Sequence, residues 1–341
     1  MLKILLTGAS GFAGSHMLNY LLVKTDATIF CPVTYQHGGN PLRILQRDCS
    51  IENSRVKIFE FDLAKRVLDN SFVPDDLDLV INFASESHVD RSISNPLAFL
   101  NNNHTLMLNI LEYIRGLSPS VKLVHISTDE VYGEVGRDQS NSEWEMPLRP
   151  TNPYSASKSA QEELLLGYTK TYGLDAVIIN STNMIGEGQN SEKFIPQSIA
   201  KIFRDQKIEV HTTSSGILGS RRYIYVGDVV RAVWLASTAL IKQSSDHKGL
   251  PAKFHVAGHR DINNLEIINL IGRILDRKPK IEYVVSPRPA YDASYQLTID
   301  KITSLGWVEE ESIEAKVSQI VKWYQENNDW LNVDYKTTFG N

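Results

Sequence analysis

The chain has 341 residues, about twice the ~150 residues common for one domain, so one large α/β unit or two lobes sharing a cleft is expected. Hydrophobic residues make up 42% and charged residues 22%, which excludes a disordered, collagen-like or coiled-coil chain. Thirty-five Lys and Arg against 40 Asp and Glu give a net charge of −5, which argues against general affinity for nucleic acid and leaves room for a local basic pocket.

Lys3-Ile4-Leu5-Leu6-Thr7 is a short apolar run that ends in glycines, and a helical pattern follows over Ser15 to Val23. This reads strand, tight turn, helix. The run is too short, and too soon broken by Thr7, Gly8 and Ser10, for a signal peptide. Further strands are expected at 28–33, 56–61, 79–83, 121–126 and 176–180, with long helices at 97–115 and 153–172. Near-continuous apolar strands alternating with helices mark a parallel sheet covered on both faces. A doubly wound α/β fold is therefore expected over residues 1–185. Residues 186–341, with shorter mixed elements including 207–211, 223–226 and 254–256, read as a smaller mixed α/β lobe that closes over the sheet. No segment approaches the ~20 apolar residues that span a bilayer. The two cysteines, Cys31 and Cys49, cannot form a disulfide framework and have no His partners at zinc spacing, so a reducing, cytoplasmic setting without a metal is expected.

Gly8-Ala9-Ser10-Gly11-Phe12-Ala13-Gly14 has the form G-x-x-G-x-x-G at the first strand–helix junction. There a tight glycine turn lets a pyrophosphate approach the free N–H groups and positive dipole of a helix start. An ordinary strand–helix turn is the bland alternative. The acidic residue that holds an adenosine ribose at the end of the second strand is missing: the chain reads Phe30-Cys31-Pro32-Val33. NAD is the expected cofactor, with NADP left open. Asp62, after the third strand, is a candidate contact for the adenine amino group or a plain loop carboxylate.

Tyr154 and Lys158 stand at i and i+4, on one helix face. A nearby ammonium lowers a phenol's pKa, which would let a tyrosinate take a hydroxyl proton during hydride transfer. Taken alone, such a pair is usually a surface contact. Asp129 and Glu130 lie just past a parallel strand, where ligands bind. Adjacent carboxylates raise one another's pKa, and a neutral acid beside an ionised base is what elimination chemistry requires.

With the glycine turn, Y-x-x-x-K resembles the extended short-chain dehydrogenase/reductases. Within them, Ser127-Thr128-Asp129-Glu130-Val131-Tyr132-Gly133 resembles the nucleotide-sugar 4,6-dehydratases, because related 4-epimerases and decarboxylases carry other residues at the two acids. Glu86 to Ile93, Asn152 to Lys158, Glu192 to Pro196 and Arg288-Pro289 agree with that family.

The resemblance implies an NAD-dependent lyase in which Tyr154 takes the C4 hydroxyl proton. Lys158 lowers the Tyr154 pKa and holds the nicotinamide ribose, and Thr128 binds the C4 oxygen. Glu130 removes the C5 proton and Asp129 protonates the leaving C6 hydroxyl. By the same resemblance Gly8, Gly11, Phe12, Ala13, Gly14, Asp62, Leu63, Ala84, Ser85, Asn103 and Ser127 hold the cofactor. Ser87, His88, Asn183, Lys193, Arg221, Arg288 and Tyr291 hold the nucleotide-diphosphate sugar. A homodimer through the helices 97–115 and 154–172 is implied as well. The chain departs from the family where the base is read. Tyr223-Ile224-Tyr225-Val226-Gly227-Asp228 stands for W-L-Y-V-E-D, Tyr291 replaces a His, and Gly216 to Arg222 is longer and more basic. The nucleotide and hexose therefore stay open. A nucleotide-sugar 4-epimerase and a non-catalytic NAD-binding sensor are the competing readings.

Overall fold

The structure, a computed structural model, describes residues 1–36, 38–45, 54–117, 120–135, 139–143, 148–242, 249–288, 292 and 294–332. In chain order the first part runs β1 (Lys3–Thr7), α1 (Phe12–Lys24), β2 (Thr28–Val33), α2 (Leu42–Leu45), β3 (Val56–Glu60) and β4 (Leu79–Asn82). It continues with α3 (Val89–Ser94), α4 (Pro96–Arg115), β5 (Lys122–Thr128), α5 (Pro153–Tyr172) and β6 (Asp175–Ser181). The remainder comprises β7 (Met184–Ile185), α6 (Phe194–Phe203), β8 (Lys207–Thr212), β9 (Ser220–Arg221), β10 (Ile224–Tyr225) and α7 (Val226–Lys242). After these come β11 (Ala252–Val256), β12 (Ile262–Asn263), α8 (Asn264–Ile274), β13 (Lys280–Val285), α9 (Asp300–Ser304) and α10 (Ile313–Glu326).

Seven parallel strands form one sheet in the order β11-β6-β5-β4-β1-β2-β3. Successive side chains point to opposite faces of a strand, and both faces here are apolar. In β1, Ile4 and Leu6 join the core under α1 and α7, while Leu5 joins the core under α4 and α5. In β4, Leu79 and Ile81 face the first core and Val80 the second. Burying each such side chain contributes roughly 1.5–3 kcal/mol. The doubly wound fold expected from the sequence is the fold observed.

One assignment changes. Residues 254–256, expected in the smaller lobe, lie in β11, the edge strand of the large sheet, paired with β6. The helix that precedes it, α7, packs on the same face as α1. The chain thus leaves the sheet after β6 and returns through α7 and β11. A short strand so far from its partner in sequence carries no local signal of the sheet it joins. The intervening and following segments, α6, β8, α8 and α10, share a separate core around Ile199, Ile271, Val317 and Ile320.

Strand order reverses between β1 and β4, which opens a crevice at their C-terminal ends. The loops after β1, β4 and β5 all empty into it.

Candidate active site

The glycine turn joins β1 directly to α1. Gly8 has φ +74°, and a Cβ on Gly14 would stand 2.1 Å from the Gly8 carbonyl oxygen. Only glycine permits that approach. Gly11 is the N-cap of α1 and supplies no side-chain cap, so the first-turn N–H groups at Phe12, Ala13 and Gly14 remain for an anion. This cradle fits a dinucleotide pyrophosphate, which needs backbone donors and no intervening side chain. The end of β2 offers no acid to a ribose: Cys31 is fully buried, and burial pushes its thiol up. Cys49 lies outside the described residues. Asp62 follows β3, accepts from Ala64 N at 3.0 Å and pairs with Lys65 at 3.1 Å. Leu63 beside it is buried, and its carbonyl accepts from Asn109 Nδ2 at 2.7 Å.

The loop after β4 is fixed from below. Ala84 N donates to Thr7 Oγ1 at 3.2 Å and to Asn82 Oδ1 at 3.1 Å, and the Ser85 hydroxyl donates to the Glu86 carbonyl at 3.1 Å. Asn103, fully buried on α4, accepts from Glu86 N at 2.8 Å and donates to Glu86 O and Ser157 Oγ. Its side chain therefore braces the loop rather than reaching into the crevice.

The two acids sit on a 3₁₀ turn over Asp129–Tyr132 capped by Thr128. The turn closes at Gly133, φ +73°, where a Cβ would lie 2.3 Å from the Arg149 carbonyl oxygen. Thr128 Oγ1 donates to Asp129 Oδ1 at 3.1 Å, and Asp129 Oδ2 is buried without a partner. Burial first, then the neighbouring Glu130 carboxylate, push Asp129 up to about 7. Burial also raises Glu130, against the hydrogen bond from Asn152 and the charges of Arg221 and Lys193. The environments differ as acid–base chemistry requires: Asp129 has an orphaned oxygen, whereas Glu130 is partly exposed with three groups favouring its anion.

Helix α5 starts at a capping box. Asn152 Oδ1 accepts from Ser155 N at 2.9 Å, Ser155 Oγ accepts from Asn152 N at 3.2 Å, and Pro153 occupies the first turn. This start aims Tyr154 at the two acids. Its ring meets Phe99 edge-on at 6.3 Å, and Thr128 is the neighbour that favours its ionised form.

The Tyr/Lys expectation changes here. Burial, followed by the Glu130 charge, raises the phenol above its ordinary value, and Thr128 opposes them. The Lys158 ammonium is engaged elsewhere: it donates to Ile126 O at 2.7 Å and Gln161 Oε1 at 2.7 Å, and burial brings it down to about 7. Ser127 likewise turns inward, its hydroxyl donating to Glu162 Oε1. The sequence reading missed Glu162 and Asn152; for Asn152 the helix-start pattern Asn-Pro-x-Ser was the available signal.

The second lobe faces these residues. Lys193 Nζ donates to Ser87 O at 3.0 Å. His88 caps α3 and lies 3.5 Å from Glu192, and burial lowers its imidazole pKa. Arg288 makes two bonds to Asp90, at 2.7 and 2.9 Å. Arg221 lies 4.7 Å over the Tyr295 ring and donates to Asp292 O at 3.0 Å, with its charge felt at both acids. Asn183 Oδ1 is buried and unpartnered. Tyr291 lies outside the described residues.

The sequence matches the NAD dependent epimerase/dehydratase family over residues 4–247. A probable dTDP-glucose 4,6-dehydratase of Sinorhizobium fredii (strain NBRC 101917 / NGR234) is 33% identical over 347 residues, covering 96% of this chain and 94% of the relative. The crystal structure of dTDP-glucose 4,6-dehydratase from Bacillus anthracis in complex with NAD superposes with a TM-score of 0.82 at 26% identity, covering 97% of this chain and 99% of that one. A UDP-glucuronic acid 4-epimerase from Bacillus cereus superposes as well, with a TM-score of 0.82 at 21% identity over 96% of this chain and 100% of that one, and so shares the fold alone. Fold does not separate the two chemistries; the full-length sequence similarity does. The chain belongs to the NAD dependent epimerase/dehydratase family, and within it to the nucleotide-sugar 4,6-dehydratases.

Proposed function

We propose that this chain converts a nucleoside-diphosphate hexose to its 4-keto-6-deoxy derivative. The observation that carries the reading is a pair of adjacent acids in unlike settings beside Tyr154: Asp129 is buried and pushed up to about 7, while Glu130 is partly exposed and raised by burial against the opposing Asn152 hydrogen bond and Arg221 charge. NAD, when bound, accepts a hydride and gives it back within one turnover. The Gly8–Gly14 cradle would hold it, Lys158 would offer it the one N–H not given to Ile126 O and Gln161, and Ala84, Ser85 and Asp62 would lie beside it.

Tyr154 takes the proton of the C4 hydroxyl, and Thr128 beside it eases the ionisation that burial resists. A 4-ketone makes the C5 proton acidic. Glu130 then removes that proton while Asp129, protonated near neutrality, gives its own to the C6 hydroxyl as water departs. Unlike acids side by side have no task in a 4-epimerase, where only C4 reacts.

Arg221, Lys193, Arg288 and Asn183 line the second-lobe side and suit the diphosphate and nucleoside, with Ser87 and His88 nearer the sugar. That assignment gives residues 1–185 to the cofactor and most of 186–341 to the substrate. The free, buried Cys31 suits a reducing, cytoplasmic compartment. Exposed Leu97 on α4 and Tyr172 on α5 suit a homodimer through those helices, which light scattering on the eluted protein checks.

The test is incubation with a panel of dTDP-, UDP-, GDP- and CDP-hexoses, with products identified by mass and NMR. Loss of one water with a C4 carbonyl supports the reading. A C4-epimeric sugar of unchanged mass supports the epimerase.

A further inference from the structure

Glu162 and Lys253 form an ion pair inside the protein, 2.7 Å apart, each no more than 4% exposed at its side chain. Neither touches the crevice. Taking two charges out of water is costly and is not repaid by attraction alone, so the pair calls for an account beyond stability. Its connections supply one. Glu162 Oε2 accepts from Lys253 Nζ. Glu162 Oε1 accepts from Ser127 Oγ and from Asn180 Nδ2, the latter at 2.7 Å. Asn180 Nδ2 also donates to the carbonyl of Thr128 at 3.0 Å, at the point where β5 ends and the acid-bearing turn begins. At the turn's far end, Lys253 Nζ lies 4.9 Å over the ring of Tyr132. The Tyr132 hydroxyl is hydrogen-bonded to His255 Nε2 at 2.8 Å, two register pairs along β11 from Lys253. Both ends of the Thr128–Tyr132 segment are thus tied to one buried pair that bridges α5 and β11.

We infer that Glu162 and Lys253 are positioning residues, a clamp that fixes the acid–base turn against the helix carrying Tyr154. The inference rests on the dehydratase reading for its kinetic consequence only. Glu162 Oε1 is the working atom, since it orients Ser127 and Asn180, and Lys253 neutralises the carboxylate and backs Tyr132. β11 joins the sheet beside β6 only after the intervening α6 to α7 segment, which explains why the residue that completes the clamp lies 91 residues from Glu162.

Removing one partner alone would leave a buried charge and could unfold the chain. The test therefore uses two paired variants of the full chain, E162M/K253M and E162Q/K253M, both without a buried net charge. Replacing a buried ion pair by apolar residues of like size is often neutral for stability, and the melting temperature of each variant is measured first. In E162M/K253M, Ser127 and Asn180 lose their acceptor, and kcat is expected to fall about 100-fold with KM little changed, the scale of a small misplacement of reacting groups. In E162Q/K253M the amide oxygen restores that acceptor, and kcat is expected to recover at least about ten-fold over the first variant. Amide hydrogen exchange across residues 127–133 is followed in parallel and is expected to quicken in E162M/K253M alone. Wild-type turnover by E162M/K253M, equal loss in both variants, or unchanged exchange in a folded E162M/K253M overturns the clamp. A wild-type chain that yields no keto sugar sinks the dehydratase reading instead, and the exchange comparison still decides the clamp.

Discussion

Asn152 Nδ2 donates to Glu130 Oε2 at 3.2 Å while the Oδ1 of the same side chain caps α5 by accepting from Ser155 N at 2.9 Å. One residue therefore sets both the start of the tyrosine helix and the state of the base. Loss of the cap in N152A is expected to cost about 1 kcal/mol of stability, read by chemical denaturation. Loss of the amide also removes the first of the groups that oppose the burial-raised pKa of Glu130. Because Glu130 must be ionised to take a proton, the acidic limb of the kcat profile is expected to move to higher pH in N152A.

Asp129 has the opposite requirement. Its carboxyl is pushed by burial, then by Glu130, up to about 7, and it must be protonated to assist the departing hydroxyl. Turnover is expected to fall as pH rises through that value. The folded value lies above the ~3.9 of an unfolded Asp, so its contribution to stability is complete below about pH 4 and is lost as pH rises through the folded value. D129N is therefore expected to abolish water loss yet melt higher than the wild type above pH 7. Thermal melts across pH check the sign.

Thr128 is the neighbour that favours the ionised Tyr154 phenol, while the Lys158 ammonium donates to Ile126 O and Gln161 Oε1. T128V is expected to raise the phenol further and cut kcat on the order of 10²-fold, the range for loss of assisted proton transfer. The full loss of that transfer in Y154F should be at least as large. Retained dinucleotide in the purified variants, read by extraction, separates chemistry from cofactor loss.

Arg288 and Asp90 meet across the crevice with side chains 32% and 54% exposed. An exposed pair contributes about 0–1 kcal/mol, so D90A should scarcely change the melting temperature. If Arg288 serves the diphosphate, R288A raises KM several-fold at nearly constant kcat, and D90A, which frees the guanidinium, does not.

Much of this was legible in residue order because the chemistry sits on contiguous segments. Gly8 to Gly14, Thr128 to Glu130 and Tyr154 to Lys158 are each one turn of chain beside a predicted strand or helix, and the parallel sheet orders those turns along one edge. What stayed hidden depends on three-dimensional contact. Lys253 pairs with Glu162 across 91 residues, β11 joins a sheet whose other strands end at residue 181, and the direction of the Lys158 ammonium follows from Ile126 O and Gln161 rather than from i,i+4 spacing. Burial was the other unseen quantity: spacing suggests a phenol made more acidic by its lysine, whereas enclosure by apolar and acidic neighbours makes it less so.

The central claim is that a hydride leaving C4 of the sugar ends on C6 after water is lost between C5 and C6. The most direct measurement uses a nucleoside-diphosphate hexose deuterated at C4, turned over in ordinary water and analysed by NMR. Deuterium on C6 of a 4-keto-6-deoxy product, with a C5 hydrogen drawn from solvent, is the expected result. Deuterium retained at C4 of an epimerised sugar that still carries its C6 hydroxyl would contradict the account.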